Sequence, residues 1–282
     1  MNKELVAAYW TIAGDVYPFA ENEISPFPFA ARVEAAARAG YRGMGLIHAD
    51  LMHQQDLLGT AEMRRILDAN GMPHVELEFL VDWYETGEKR AASNRMRTEL
   101  FEAAAALGAR DVKIAPEFDA PDIDLPRVIA GFHDVCEVAQ MHGTRVALEI
   151  MPFSNVSRLE TALAIVEGAD HPAGGLLLDI WHVARGGIPF DAVAKIPARH
   201  IVSVELDDAG SGVVGTLWED TIYQRKLCGE GVLNPPAFIE AIRRTGFDDF
   251  WSVEVIAVDH RKLPLEEAAR RSFQTTMAQF GS

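Results

Sequence analysis

Cysteine is scarce: 282 residues hold only Cys136 and Cys228, far apart and in no metal-like spacing. Neither a disulfide framework nor a thiolate metal site can be built from them, and a reducing compartment is the default reading. Long apolar runs are absent too; no stretch approaches the ~18 residues of a membrane span. The opening Met1-Asn2-Lys3-Glu4-Leu5 leads into no apolar run with a small-residue cleavage site, so no secretory leader is read. Positive charge is in short supply: 26 Lys and Arg face 42 Asp and Glu, a formal net charge of −16. Such a field repels phosphate backbones and anionic membranes, although a few local cations can still hold a small anion. These absences predict a cytoplasmic protein that engages neither nucleic acid nor membrane. Also missing are a P-loop and the G-x-G-x-x-G turn of dinucleotide-binding sheets. The first apolar run ends Trp10-Thr11-Ile12-Ala13-Gly14-Asp15, which speaks against a doubly wound open sheet.

What is present is alternation. With 49% hydrophobic and 24% charged residues the composition is that of an ordinary globular chain. Strand-like runs occupy Leu5–Ile12, Gly43–His48, His74–Leu80, Asp111–Ala115, Arg145–Met151, Gly175–Trp181, His200–Leu206 and Trp251–Ile256. Helical patterns lie between them, at Pro26–Ala39, Thr60–Asn70, Lys89–Leu107, Leu125–His142, Ser157–Gly168, Phe190–Lys195, Pro235–Thr245 and Leu265–Phe280. Ser25 with Pro26 reads as N-cap and first helical residue, and Gly40, Gly71, Gly108, Gly143 and Gly246 stand where helices should end. Eight strand-then-helix units argue for parallel strands, and eight is the number that closes a (β/α)8 barrel of ~250 residues. The expected fold is therefore α/β, a single TIM barrel over residues 1–282. The one long irregular stretch, Asp207–Asn234, has the length of a lid or binding loop on the face where barrels keep their chemistry.

Strand ends are where a barrel converges its polar side chains. Four successive runs carry one acid each in apolar surroundings: Glu149, Asp179, Glu205 and Glu254. Burying a lone carboxylate costs several kcal/mol unless something pairs with it. Four on consecutive strands, with few cations in the strands themselves, are hard to neutralise by arginine and lysine alone. A divalent cation meets the need, since it takes oxygen ligands and keeps the acids ionised. Further strand-end candidates for substrate contact are His48, Lys113 and either Glu76 or Glu78. The last two share a face, and Glu78 is preferred as nearer the mouth. Trp10, Phe79, Trp83, Phe153, Trp181 and Trp218 are candidate pocket walls.

The chain resembles the sugar phosphate isomerase/epimerase superfamily. These xylose-isomerase-like barrels include ketose 3-epimerases, inosose dehydratases and isomerases, and 3-dehydroshikimate dehydratases. The likeness spans all eight units and is most specific in Ala147-Leu148-Glu149, Leu178-Asp179-Ile180-Trp181-His182, Gly229-Glu230-Gly231 and Ser252-Val253-Glu254. It implies one divalent metal held by Glu149, Asp179, Glu205 and Glu254, with Glu149 and Glu254 also serving as the proton-transfer pair. It places His182 and Arg225 among the substrate contacts, with Lys226 beside Arg225. Two departures matter. The strand-seven ligand is usually histidine in an H-x-x-D pattern, which here reads Glu205-Leu206-Asp207-Asp208. An all-carboxylate set tilts the expected ion toward Mn²⁺ or Mg²⁺ and away from Zn²⁺. Gly45 also stands where the family often has an acid, so no second-strand contact carries over.

The resemblance implies proton removal beside a carbonyl through an ene-diolate, on a sugar, keto-sugar or cyclitol. Isomerisation or epimerisation is the preferred outcome and dehydration the alternative, with a non-catalytic sugar- or metal-binding barrel behind both. A three-zinc abasic-site nuclease shares the barrel, but this chain lacks the D-x-H pair after strand seven and has the wrong charge for DNA. Pairing of two copies is common among such barrels.

Overall fold

The apolar runs do become strands, and the strands close on themselves. In a computed structural model, which describes residues 2–118 and 122–281, eight strands form one closed barrel. In chain order they are Leu5–Ala7, Gly43–Ile47, His74–Leu80, Asp111–Ile114, Arg145–Glu149, Gly174–Asp179, Ile201–Leu206 and Trp251–Val253. We number them one to eight. Each pairs in parallel with its neighbours, and strand one closes the ring against strand eight. Among the described residues no helix is long and apolar enough to cross a membrane.

Several strands end sooner than their apolar runs suggest. After Ala7 the chain turns into a helical segment, Tyr9–Ile12, and after Asp179 into another, Ile180–Arg185. A buried helical turn and a buried strand look alike in an apolar run, since periodicity cannot part them over so few residues. The helix expected from Pro26 begins at Phe29 instead. Ser25 closes a loop rather than capping that helix: its hydroxyl donates to the Ala13 carbonyl and accepts from the Phe27 N–H. A helix over His48–Leu58, too mixed in polarity to show a stripe, precedes the expected one at Thr60–Ala69. The expected glycines do terminate helices with positive φ, Gly40 among them. Gly45 has a separate reason to be glycine. A side chain there would lie 2.8 Å from the Tyr9 backbone nitrogen, so the helical segment after strand one could not lie against strand two as it does.

The barrel interior is unusually polar. Ala147, Leu177 and Val202 form a small apolar cluster. Beside it Glu76 accepts hydrogen bonds from Ser203 and Ser252, and Lys113 crosses toward strand seven. Outside, the helices pack on the strands through one large apolar core that includes Phe29, Trp83, Phe132, Trp181 and Trp251.

A second buried charge pair ties the segments after strands one and two. Arg32 of the helix Phe29–Ala39 reaches Asp50 at 2.5 Å, both fully buried, and Asp50 also accepts from the Ser25 N–H at 3.2 Å. Removing one partner strands the other charge out of water. Arg32→Met should therefore lower unfolding free energy by about 3–5 kcal/mol, and Arg32→Met with Asp50→Leu should recover much of that loss. Urea unfolding curves of the two variants check this; equal destabilisation would contradict it.

Candidate active site

Strand alternation aims every second residue of a barrel strand inward. Glu149 and Asp179 are the last residues of strands five and six, and Glu205 lies next to last in strand seven. Glu254 follows strand eight directly. Asp179 and Glu205 are register partners, and so are Glu205 and Ser252. All four acids therefore stand at one end of neighbouring strands. Glu254 is fixed by its backbone: its N–H donates to the Leu206 carbonyl, and Thr11 bridges the flanking Val253 and Val255 main chain.

The acids are buried and gather in two overlapping groups. Oxygens of Asp179, Glu205 and Glu254 lie within 4.8 Å of one another, as do donor atoms of Glu149, Asp179 and His182. Two ligands of one cation can be no farther apart than twice a metal–oxygen bond, about 4–5 Å. Each group meets that limit, and Asp179 belongs to both. The four-carboxylate set is thus not one compact cluster. Either group could hold a divalent ion, since each brings three buried donor side chains within that limit, and beside them buried Asp207 Oδ1 and Glu78 Oε1 have no hydrogen-bond partner.

Two cations serve this crowd. Arg225 Nη1 contacts Asp179 at 2.6 Å and Glu254 at 3.2 Å, and also bonds to Asp207. Lys113 Nζ lies 2.5 Å from Glu205, 3.3 Å from Glu76 and 3.9 Å from Glu78. His182 Nε2 lies 3.1 Å from Glu149 Oε1 and 3.3 Å from Arg225 Nη2. Acids remain in excess, and the titration of the group reflects it. Burial pushes the Asp179 carboxyl up, but Arg225 and then His182 outweigh it and hold it below the usual range. Burial, reinforced by the charge of Glu254, lifts Glu205 well above that range despite Lys113. Asp207 is lifted likewise by burial, with Arg225 offsetting only part. Glu254 is pushed up to about 8, chiefly by burial, with Glu78 and Glu149 adding to it against Arg225.

The Gly229-Glu230-Gly231 motif explains how Arg225 is held. Asp208–Ala209 and Arg225–Lys226 form a short antiparallel ladder. The Asp208 carboxylate accepts N–H groups from Gly229 at 3.0 Å, Gly231 at 3.1 Å, Leu233 at 2.9 Å and Ala209 at 2.9 Å. A Cβ at residue 231 would collide with that carboxylate, so glycine is required there. Thr221 Oγ1 then accepts from Arg225 Nε at 3.1 Å and Nη2 at 2.9 Å, completing the clamp on the guanidinium.

Above the acids opens a cavity of about 290 Å³, with Glu78, Glu149, His182, Arg225 and Glu254 among its lining. A family model described as the xylose isomerase-like TIM barrel matches residues 33–277. The chain belongs to that family. The inosose isomerase of Bacillus subtilis is 27% identical over 146 residues, 51% of either chain, so the match spans about half the length of that relative. The 3-dehydroshikimate dehydratase of Pseudomonas aeruginosa is 25% identical over 237 residues, 83% of this chain and 37% of the relative. A crystal structure of the IOLI protein with a zinc atom covers 98% of this chain and 97% of its own, with a TM-score of 0.84 and 20% identity. That likeness is one of fold.

Within this xylose isomerase-like barrel the expected site residues separate into three positions. Glu149, Glu254, His182, Arg225, Glu78 and His48 line the cavity, whereas Asp179 and Glu205 lie behind its surface. His48 is engaged at its edge, with Nε2 2.6 Å from Glu99. Lys113, expected at the substrate, is 1% exposed and does not line the cavity; the pull of Glu205 and Glu76 draws its ammonium into the barrel. Trp10, Phe79, Phe153 and Trp218 are wall residues as expected, while Trp83 and Trp181 are core. Asp207 belongs to the site but reads as loop in the sequence, although its spacing of two from Glu205 put it on the same face. Phe19 and Phe118 carry no sequence signal, since only the fold brings their loops together.

A raised carboxyl makes the folded chain hold a proton that the unfolded chain gives up. For Glu254 that window runs from the ordinary 4.5 to about 8, and stability falls as pH rises through it. In the presence of chelator the melting temperature should drop by roughly 5 °C or more between pH 5 and 8, and Mn²⁺ should restore it at pH 8. A flat profile in differential scanning calorimetry would show that the acids carry no such strain.

Proposed function

We propose that the chain is a divalent-metal-dependent isomerase or epimerase that moves a proton on the carbon beside the carbonyl of a sugar, keto-sugar or cyclitol. The observation that carries this reading is the division of labour at the strand ends. Glu149 and Glu254 face the cavity, from strand five and from the segment after strand eight, with strands six and seven between them. Asp179 and Glu205 stand behind, close enough to Glu254 to share a cation with it.

In this mechanism Asp179, Glu205 and Glu254 would hold the ion, with Glu149 and His182 beside it in the second group that Asp179 joins. Their oxygen-rich character favours Mn²⁺ or Mg²⁺. When bound, the ion would supply positive charge where negative charge builds up on the substrate oxygens as the proton leaves. One of the two cavity glutamates removes the α-proton and the other returns it. Return to the opposite face of the same carbon inverts it, and delivery to the neighbouring carbon isomerises the substrate. His182 orients Glu149, and Arg225 orients Glu254 together with Asp179. The Lys113 charge on Glu205 offsets part of what an imidazole at that position would not have added.

A second reading, loss of a β-hydroxyl as water, starts from the same proton removal. It is favoured by the greater span of the match to the dehydratase, 83% of this chain against 51% for the inosose isomerase. The products separate the two: isomerisation in D₂O leaves deuterium at carbon and no new alkene, whereas dehydration raises ultraviolet absorbance.

Glu149→Gln and Glu254→Gln each keep a coordinating oxygen and lose the exchangeable proton. Turnover should fall by ~10²–10⁴ in either variant, with metal content by elemental analysis within twofold of the parent. Solvent deuterium entry should be blocked on one face of the substrate carbon only. Near-parental turnover in both variants with metal bound would remove these residues from the chemistry, and no turnover on any keto-sugar or inosose by the parent would favour the binding barrel.

A further inference from the structure

The cavity has two unlike halves. Its floor carries Glu78, Glu149, His182, Arg225 and Glu254. Its roof is a set of rings from four separate segments: Phe19 after strand one, Phe118 after strand four, Phe153 after strand five and Trp218 after strand seven. Centroids lie 5.3 Å apart for Phe19 and Trp218, 5.6 Å for Phe153 and Trp218, and 5.8 Å for Phe118 and Phe153. A bridge between Phe118 and Ser154 ties two of the segments. Phe19 remains 64% exposed, a large apolar ring left in water beside the opening.

Charge is distributed as unevenly as polarity. Among the described residues no lysine lines the cavity, and the one guanidinium that does, Arg225, is already shared by three carboxylates. At the sides, Glu23 accepts the Phe19 N–H at 2.6 Å and His48 is held by Glu99. Away from the proposed ion, a phosphate or carboxylate on the substrate would therefore find, among the described residues, no free side-chain cation and several buried acids. A free sugar hydroxylated on every side would leave its upper hydroxyls against rings, and a buried hydroxyl without a partner is costly. A planar ring in that place would instead gain offset or edge-to-face contacts with the roof. At about 290 Å³ the space is at the small end of the roughly 300–1,000 Å³ of ligand sites, which suits two linked rings better than a larger chain.

Resting on the proton-transfer reading above, we propose that the substrate is neutral and two-faced: a hydroxylated keto ring seated on the carboxylate floor, joined to an aromatic ring stacked under Phe118, Phe153 and Trp218. The aryl group selects the substrate, and the floor does the chemistry.

The protein as purified can be titrated with phenyl β-D-glucopyranoside, D-glucose and D-glucose 6-phosphate, followed by calorimetry and by tryptophan fluorescence. The phenyl glucoside should bind at least tenfold more tightly than glucose, and the phosphate ester no more tightly than glucose. Trp218→Ala and Phe118→Ala should each bring the phenyl-to-glucose ratio toward unity, with thermal melts reporting whether the variants keep their fold. The ranking on the unaltered protein decides the matter even where they do not. Equal binding of the phenyl glucoside and glucose, tightest binding of the phosphate, or no binding of any of the three at millimolar concentration would overturn the proposal. An intact aryl preference without deuterium exchange on any ketone would sink the proton-transfer reading alone, and exchange without aryl preference would sink this one alone.

Discussion

Negative charge that has been taken out of water must be answered locally, and at the mouth of this barrel more of it is gathered than the chain can answer. Glu78, Glu149, Asp179, Glu205, Asp207 and Glu254 are all buried there, against the buried cations Lys113 and Arg225. Coulomb attraction inside a protein is strong but short of supply in this case: one guanidinium is spread over three carboxylates and one ammonium over three more. The balance has to come from protons or from a metal ion. Either would serve the proton transfer proposed above, since enolisation calls for groups that exchange protons and for positive charge near the developing oxyanion.

Much of the surrounding architecture can be understood as support for that balance. Lys113 is anchored from below, where Glu76 is itself held by Ser203 and Ser252. Arg225 is anchored from above, where Asp208 collects four backbone N–H groups and sets the course of the chain on either side of the guanidinium. The carboxylate of Asp208 binds only main chain, while that of Asp207, one residue earlier, binds the functional cation. Adjacent acids with opposite duties follow from strand alternation, which turns them to opposite sides.

The barrel and the four strand-end acids were legible because each rests on a local signal. An acid embedded in an apolar run of a strand can only face inward or be wasted, and a strand followed by an amphipathic helix repeats eight times. Arg225 was legible through the glycine motif that follows it. Lys113 was visible as a strand-end cation, but not its partner: which interior groups meet across a barrel depends on strand stagger, and no single strand records that. His48–Leu58 escaped as a helix because its polar and apolar residues do not fall on separate faces. Two rings of the aromatic roof escaped for a different reason. Phe19 and Phe118 are ordinary loop residues until closure of the ring sets the loop after strand one opposite the loop after strand four.

One short helix, Leu217–Tyr223, carries both Trp218 and Thr221. The first is a ring of the roof, and the second holds Arg225. Three residues apart, they lie on one face of one rigid turn. Roof and floor are therefore not independent parts that happen to enclose the same space. The turn that sets the indole over the cavity is the turn whose Thr221 hydroxyl holds the guanidinium below it, so a substitution that displaces this turn reaches both halves of the cavity at once.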